Sequence, residues 1–304
     1  METHQLPMNI VFCVNSLGLM GLGSTITSLV RNCSNSSRLK IWFFCSELTT
    51  TDKSNITYLL NSEHFKGTTE FIDLNVKDTF GHLNPLHQDW TAYGRLLIPE
   101  IINDEYALYL DADLIIELDI LQLSTVNSNK ILSAVHEGPV CLALDNHLFI
   151  KKLNWDPTTP YFNSGVLLFN IEQWAKCNTS FNLKEISKSY SAHLVSHDQT
   201  LLNALCAGEF NQLSQEFNTS WPPNKPAPDT YDKCIIHFIG SPKPWDISGR
   251  IIHNSYNIWL QYNTNFWNNE YGKLSSQKLI RTWYIRKSIL KNLKHKFFNM
   301  LTNN

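Results

Sequence analysis

Leu108-Tyr-Leu-Asp111-Ala-Asp113-Leu-Ile-Ile116 reads as a buried strand that delivers two carboxylates, one small residue apart, at its carboxyl end. In extended backbone, residues i and i+2 point to the same side, so Asp111 and Asp113 can close on one hard cation. Ala112 between them leaves room for whatever that cation carries. An apolar strand ending in Asp-x-Asp is where an α/β sheet holds a metal-bound phosphate ester at its carboxyl edge. Asp is also common at ordinary strand-to-turn boundaries, so the rest of the chain has to decide between the two readings.

Working outward, strand-like and helix-like runs alternate. Residues 10–14, 40–45, 70–74, 140–144 and 235–239 read as strands, and 161–170 as a turn at 163–165 with a fully apolar run. Residues 54–61, 93–102 and 196–207 read as helices, which is the α/β pattern. The glycines of 18–23 read as a loop before a helix starting near Ser24. Their G-x-x-G-x-G spacing matches neither the dinucleotide fingerprint nor a P-loop.

Composition narrows the class. The chain has 304 residues, 43% of them apolar, with nine Trp and sixteen Phe, so it is globular and not disordered. Seven cysteines, an odd number without a Cys-x-x-Cys pair, argue against a disulfide framework or structural zinc and for a reducing compartment. The first residues read as a strand, not a signal peptide, and no apolar run reaches bilayer-spanning length. The net charge of −2 hides an asymmetry. Through Glu270 there are 17 basic and 27 acidic side chains, net −10, whereas the remainder has eight basic side chains and no acidic one. Such segregation points to a tail with an anionic partner.

Other residues carry chemistry. His237 ends a β-like run and, beside two carboxylates, suits the mixed O and N shell of Mn²⁺ better than the all-oxygen shell of Ca²⁺ or Mg²⁺. Lys243, after Gly240-Ser-Pro, is a point charge for a pyrophosphate. Asp198, at a helix start, is either a cap or part of a polar cluster over a sugar ring. Arg95, inside an apolar run, is either a snorkelling side chain or a buried clamp.

In order, these pieces resemble glycosyltransferase family 8, the retaining UDP-sugar transferases that include glycogenin and bacterial lipopolysaccharide galactosyl- and glucosyltransferases. The landmarks are residues 8–15, Thr91-Ala-Tyr-Gly-Arg95-Leu-Leu-Ile-Pro99-Glu100, Leu108-Tyr-Leu-Asp111-Ala-Asp113, Tyr161-Phe-Asn163-Ser-Gly165, His197-Asp198-Gln199 and His237-Phe-Ile-Gly240-Ser-Pro-Lys243-Pro-Trp245. The resemblance implies a Rossmann-like, single-domain nucleotide-diphospho-sugar transferase fold of the GT-A type. It implies a catalytic domain over residues 8–250, with 251–304 as a C-terminal helical segment ending in a basic tail.

Carried over by motif, Asp111, Asp113 and His237 would bind Mn²⁺, with Mg²⁺ as the alternative. Cys13, Asn15, Arg95, Asp111, Ala112, Asp145, Asn163, Gly240 and Lys243 would contact the donor. Asp198 and Gln199 would be the catalytic pair, with Gln199 near the anomeric carbon. His87 and Trp90 would shape the acceptor site. Asn15 stands where the family has an Asp accepting from the uracil N3–H, and its carbonyl can still accept that bond.

The expected activity is retaining transfer of galactose or glucose from UDP-galactose or UDP-glucose to a glycan or glycolipid acceptor, such as lipopolysaccharide. No nucleic acid partner is expected. From Leu279 onward, apolar residues recur at near-helical spacing among Lys and Arg, which reads as a basic amphipathic helix for an anionic membrane surface. That implies a cytoplasmic enzyme, peripheral at the inner face of the membrane, and a chain ending near Lys278 that still hydrolyses donor. A non-catalytic nucleotide-sugar-binding protein would have lost Asp111, Asp113 or His237. A Mg²⁺ phosphatase of the Asp-x-Asp type would want Thr or Val where this chain has Leu114.

Overall fold

The computed structural model describes residues 7–86, 89–229 and 233–302. Ten strands lie among these: β1 (Met8–Val14), β2 (Leu39–Cys45), β3 (Thr68–Asp73), β4 (Tyr106–Leu110), β5 (Leu114–Ile116), β6 (Leu132–Pro139), β7 (Pro160–Asn170), β8 (Asn211–Leu213), β9 (Thr219–Ser220) and β10 (Ile235–His237). Seven of them form a central sheet in the order β3-β2-β1-β4-β7-β6-β8, and a smaller sheet has the order β5-β10-β9. The β1–β2, β2–β3, β1–β4 and β6–β8 pairs are parallel, and β7 runs antiparallel to both β4 and β6.

β1 is Met-Asn-Ile-Val-Phe-Cys-Val, with every residue but Cys13 fully buried. A parallel strand covered on both faces reads as such a nearly continuous apolar run. One apolar cluster lies on the face built by Ile10, Phe12, Ile41 and Leu108, and a second on the face built by Val11, Phe44, Tyr109 and Leu167.

The opening stretch is divided between two sheets. β4 stops at Leu110, residues 111–113 form a turn, and Leu114–Ile116 leaves to pair with β10. The two carboxylates therefore sit on a turn between strands, not at the end of one continuous strand. This jump matters because Leu114 pairs with His237, which carries the histidine to the Asp-x-Asp turn.

The glycine-rich stretch also departs from its sequence reading. Helix α1 begins at Leu19 and runs to Asn32, so Gly21 and Gly23 lie inside it. A Cβ on Gly21 would stand 2.5 Å from the Ala112 carbonyl oxygen, and one on Gly23 would stand 2.2 Å from the Trp267 ring. The glycines let this helix, buried from Leu19 to Val30, approach its neighbours closely. They do not form a phosphate loop.

Residues 140–142 form a 3₁₀ turn, and the strand at this point is β6, which ends at Pro139. Leu142 and Leu144 are exposed, although the sequence reading put them in a strand. Residues 91–97 form a 3₁₀ helix that passes into the short α-helix Ile98–Ile101, in place of a single helix. Beyond residue 250, Trp259 and Trp267 join the same core as β1 and α1, and the Trp267 indole donates to the Leu19 carbonyl at 2.8 Å. The last described elements are the helices Ser276–Tyr284 and Arg286–Thr302.

Candidate active site

β1 has β2 on one side and β4 on the other, so the chain leaves the middle of the sheet in both directions. The carboxyl ends of β1 and β4 border the crevice that such a switch point opens. A cleft of about 290 Å³ occupies it, lined among others by Cys13, Asn15, Arg95, Asp111, Asp113 and Lys243.

The two carboxylates and His237 form one cluster, with ligand atoms all within 4.8 Å of one another. His237 Nε2 lies 3.3 Å from an Asp113 oxygen and 3.7 Å from an Asp111 oxygen. The other ring nitrogen, Nδ1, is 3.0 Å from the Asn218 carbonyl oxygen. An acceptor there holds the proton on Nδ1, so Nε2, which faces the carboxylates, is the nitrogen left for a metal. Asn218 in turn donates to Asn163, whose oxygen also accepts from the Gly165 amide. Gly165 has to be small, because a Cβ there would lie 2.4 Å from the His237 ring.

Two cations flank the pair. Lys243 Nζ lies 2.6 Å from Asp113 and also donates to the Phe238 carbonyl. Burial alone would raise the Asp113 pKa, but Lys243 and His237 hold it far below the usual carboxylate range. Arg95 is buried and donates to Asp111 at 2.9 Å, stands 3.1 Å from Asp198, and donates to the Ser164 carbonyl at 2.7 Å. Its guanidinium stacks on Tyr109 at 4.1 Å, and the Tyr109 hydroxyl donates to Asp111 at 2.5 Å. Arg95 is thus a buried clamp between two carboxylates, not a snorkelling side chain. Burial pushes the Asp198 carboxyl up, against the pull of Arg95. It pushes the Cys13 thiol up as well, so Cys13 is a neutral wall of the cleft.

Gln199 and Asn163 line a second cavity, also of about 290 Å³, together with Glu137, Tyr161 and the exposed Leu142 and Leu144. The Gln199 carbonyl accepts from the Ser164 amide at 3.0 Å, and its amide donates to the Tyr161 hydroxyl at 2.8 Å.

Other candidate residues are placed differently. Asp145 is buried and accepts from the Val195 and Ser196 amides and the Thr200 hydroxyl, so its carboxylate anchors the turn before helix Asp198–Cys206. The Asn15 carbonyl accepts from the Leu17 and Gly18 amides, both at 3.0 Å, in an Asx turn from β1 into α1. Both of its lone pairs are therefore engaged. Gly240 adopts φ +72°, ahead of the Lys243 loop. Trp90 donates to the Leu83 carbonyl, with Lys77 over its ring. His87 lies outside the described residues.

Residues 9–248 match the sequence profile of Glycosyl transferase family 8. The chain belongs to this family. Its members' retaining hexosyl transfer is the chain's reaction class, and the divided sheet is their GT-A arrangement. It is 24% identical to General stress protein A of Bacillus subtilis over 79% of this chain and 87% of that protein. It is 28% identical to the lipopolysaccharide 1,3-galactosyltransferase of Salmonella typhimurium over 60% of this chain and 57% of that one. Among solved structures, the galactosyltransferase LgtC superposes with a TM-score of 0.70 at 21% identity, over 89% of this chain and 98% of that one. The bifunctional glycosyltransferase WbbM gives 0.71 at 20% identity, over 89% and 52%.

The fold thus gathers Asp111, Asp113, His237, Arg95 and Lys243 in one place, with Gln199 and Asn163 behind them. Sequence reading missed Asn218, Tyr109, Ser164 and Glu137. Asn218 had one visible signal, its place just before a β-like Thr-Ser pair, but nothing local told it from the other asparagines. Loss of solvation raises the Glu137 carboxyl, against the pull of His237 and Asn163. If the cluster holds a divalent cation, Asn218→Ala is expected to weaken its binding by roughly 10- to 100-fold, since a partner that orients a ligand typically contributes that much. Titration monitored by the electron spin resonance of free Mn²⁺ checks it, and unchanged affinity would remove Asn218 from the metal support.

Proposed function

We propose that this family 8 enzyme transfers galactose or glucose from its UDP conjugate to a glycan of lipopolysaccharide, lipooligosaccharide or another surface polysaccharide. A divalent cation, Mn²⁺ foremost, would be held by Asp111, Asp113 and His237. The observation that carries this reading is the Asp111–Asp113–His237 cluster at the switch point, with Nε2 of the histidine facing the carboxylates. Two hard oxygen donors and one imidazole suit Mn²⁺, and the lysine resting on Asp113 indicates a place that wants positive charge. When bound, the cation would neutralise charge developing on the departing diphosphate. Lys243 would add a second positive charge to the same phosphate oxygens.

Retention requires either a carboxylate nucleophile beneath the sugar or departure and attack on one face. Asp198, although near, is buried and held by Arg95, which counts against its reaching an anomeric carbon. Gln199 is an amide held by Ser164 and Tyr161. These constraints favour front-face transfer, with the diphosphate as base and the Gln199 dipole supporting the forming cation. Asn163 and Gln199, on the second cavity, would face the hexose, and the Leu142–Leu144 rim would meet the acceptor. Gln199→Ala is therefore expected to slow transfer by roughly 10²-fold and not abolish it, a typical cost for one electrostatic support. A sugar adduct trapped covalently on Gln199 would overturn the front-face assignment.

The acceptor class draws on the named lipopolysaccharide transferases among the relatives, and the tail bears on where that acceptor would be met. No described helix is long and apolar enough to cross a membrane. Leu279, Ile280, Trp283, Leu290 and Phe297 are exposed on the two final helices, among Lys287, Lys291 and Lys294. We read this face as a peripheral contact with an anionic inner leaflet, each cation near the surface contributing about 1 kcal/mol. The full chain should co-sediment with anionic vesicles at low salt and be released as salt is raised. Failure to bind at low ionic strength would make the tail purely structural.

The decisive experiment is a panel of UDP-sugars assayed for hydrolysis without acceptor, with Mn²⁺, with Mg²⁺ and with chelator. Metal-dependent release of galactose or glucose supports the reading. A chain that binds UDP-sugars but never hydrolyses them would be the non-catalytic alternative.

A further inference from the structure

The C-terminal helices hold the loop that follows His237 at both of its ends. At the far end, Asp246 accepts from the Lys243 backbone amide at 2.6 Å through Oδ2. Arg281, from helix Ser276–Tyr284, forks onto the same carboxylate, Nε to Oδ1 at 2.6 Å and an Nη to Oδ2 at 2.9 Å. The Asp246 side chain is only 6% exposed, so this is a largely desolvated, bidentate pair and not a surface contact. At the near end, the Ser241 carbonyl accepts from the Ser288 hydroxyl at 2.6 Å and from the Asn292 amide at 3.2 Å. Both donors belong to the last helix, and Asn292 also accepts from the Asn224 amide. Arg281 itself reaches the wall of the cleft that Lys243, Trp245 and Asp113 line.

We propose that the C-terminal segment is a working part of the donor site, with Arg281 as the positioning residue that fixes the Lys243 loop through Asp246. The inference rests on the reading of this cleft as a UDP-sugar site. The chain of contacts is short: guanidinium to carboxylate, carboxylate to the Lys243 backbone, and the Lys243 ammonium into the cleft. Lys243 is held to Asp113 on the cleft floor and must be aimed from a stiff backbone to meet a diphosphate instead. Without Arg281, Asp246 keeps one backbone donor and a largely desolvated, unpaired charge. The loop would then relax, and the diphosphate would lose its aimed cation. The nucleoside end of the site would be built from β1, α1 and Arg95, whereas Arg281 and Ser288 bond to the loop that carries Lys243. This makes the tail more than a membrane address. A chain ending near Lys278 would lose Arg281, Ser288 and Asn292 together, so its donor affinity should fall even where it still hydrolyses donor.

The test compares UDP with uridine, by calorimetry in Mn²⁺, on the full-length chain and on Arg281→Ala, Arg281→Lys and Asp246→Asn. The expected result is about a tenfold loss of UDP affinity for Arg281→Ala, from weakening of a charge-assisted contact, with uridine affinity unchanged. Arg281→Lys should recover only part of the loss, because an ammonium cannot fork onto a carboxylate. Asp246→Asn removes the same link from the other side and carries the same expectation if Arg281→Ala does not fold. Equal UDP affinity in wild type and variants overturns the proposal. So does an equal loss for UDP and uridine, since a general loosening would not distinguish them. If the wild-type chain itself binds no UDP, the UDP-sugar reading is what fails.

Discussion

Asp113→Ala and His237→Ala are each expected to lower sugar transfer by about 10³-fold or more, the scale on which a cation stabilises a departing diphosphate. The two residues meet through the pairing of β5 with β10, and each would supply one of three ligands to the proposed cation. Removing Asp113 has a second consequence, because its oxygen also holds the Lys243 ammonium. Chelation of the wild-type enzyme should give the same loss as either substitution, and the variants should no longer bind Mn²⁺ in a direct titration. Full turnover in a chelated, metal-free sample would sink the metal assignment.

The second large effect is on stability. Arg95→Met should destabilise the fold by about 3–5 kcal/mol, the usual cost of removing one partner from a buried ion pair. The guanidinium neutralises two carboxylates at once, Asp111 at 2.9 Å and Asp198 at 3.1 Å, and stacks on Tyr109. Asp198 is buried on all sides and its pKa is raised by that burial, with Arg95 pulling it down. In the variant that pull is gone, so the folded-state pKa rises further above the unfolded value. A group that binds its proton more tightly in the folded state favours folding as pH falls. The penalty should therefore shrink as pH is lowered through the raised Asp198 value towards the unfolded one. Urea unfolding of wild type and variant at several pH values checks both the size and the sign. A penalty that is flat with pH would mean that Asp198 does not carry it.

Much of this protein could be read from local sequence. The apolar runs of β1, β2 and β4 could only be strands covered on both faces, and their alternation with helices implied the α/β class. Asp111, Asp113, His237, Arg95 and Lys243 were legible because each is an unusual residue in its local setting: paired acids, a histidine or a basic side chain beside apolar runs. The chemistry of mixed oxygen and nitrogen donors followed from residue type alone. Local reading failed where one residue type serves two purposes. Glycine signals a loop, but it also lets a helix pack closely, and Gly21 and Gly23 do the second. Asp145, given a donor role by the resemblance, also accepts backbone amides of the turn before helix Asp198–Cys206, a contact that no local pattern signals. The apolar run at 140–144 signals a strand, but Pro139 closes β6 before it.

What the sequence by itself determined was the inventory: which side chains are available, their charge, and the strands that would carry them. Only the tertiary structure decided who meets whom. The division of Leu108–Ile116 between two sheets, the Asn218 contact that sets the His237 tautomer and the Arg281 fork on Asp246 join residues from 35 to more than 100 positions apart, or 19 in the case of Asn218. Such contacts follow from sheet register and helix packing, which sum small energies over the whole chain. No short stretch of sequence encodes them.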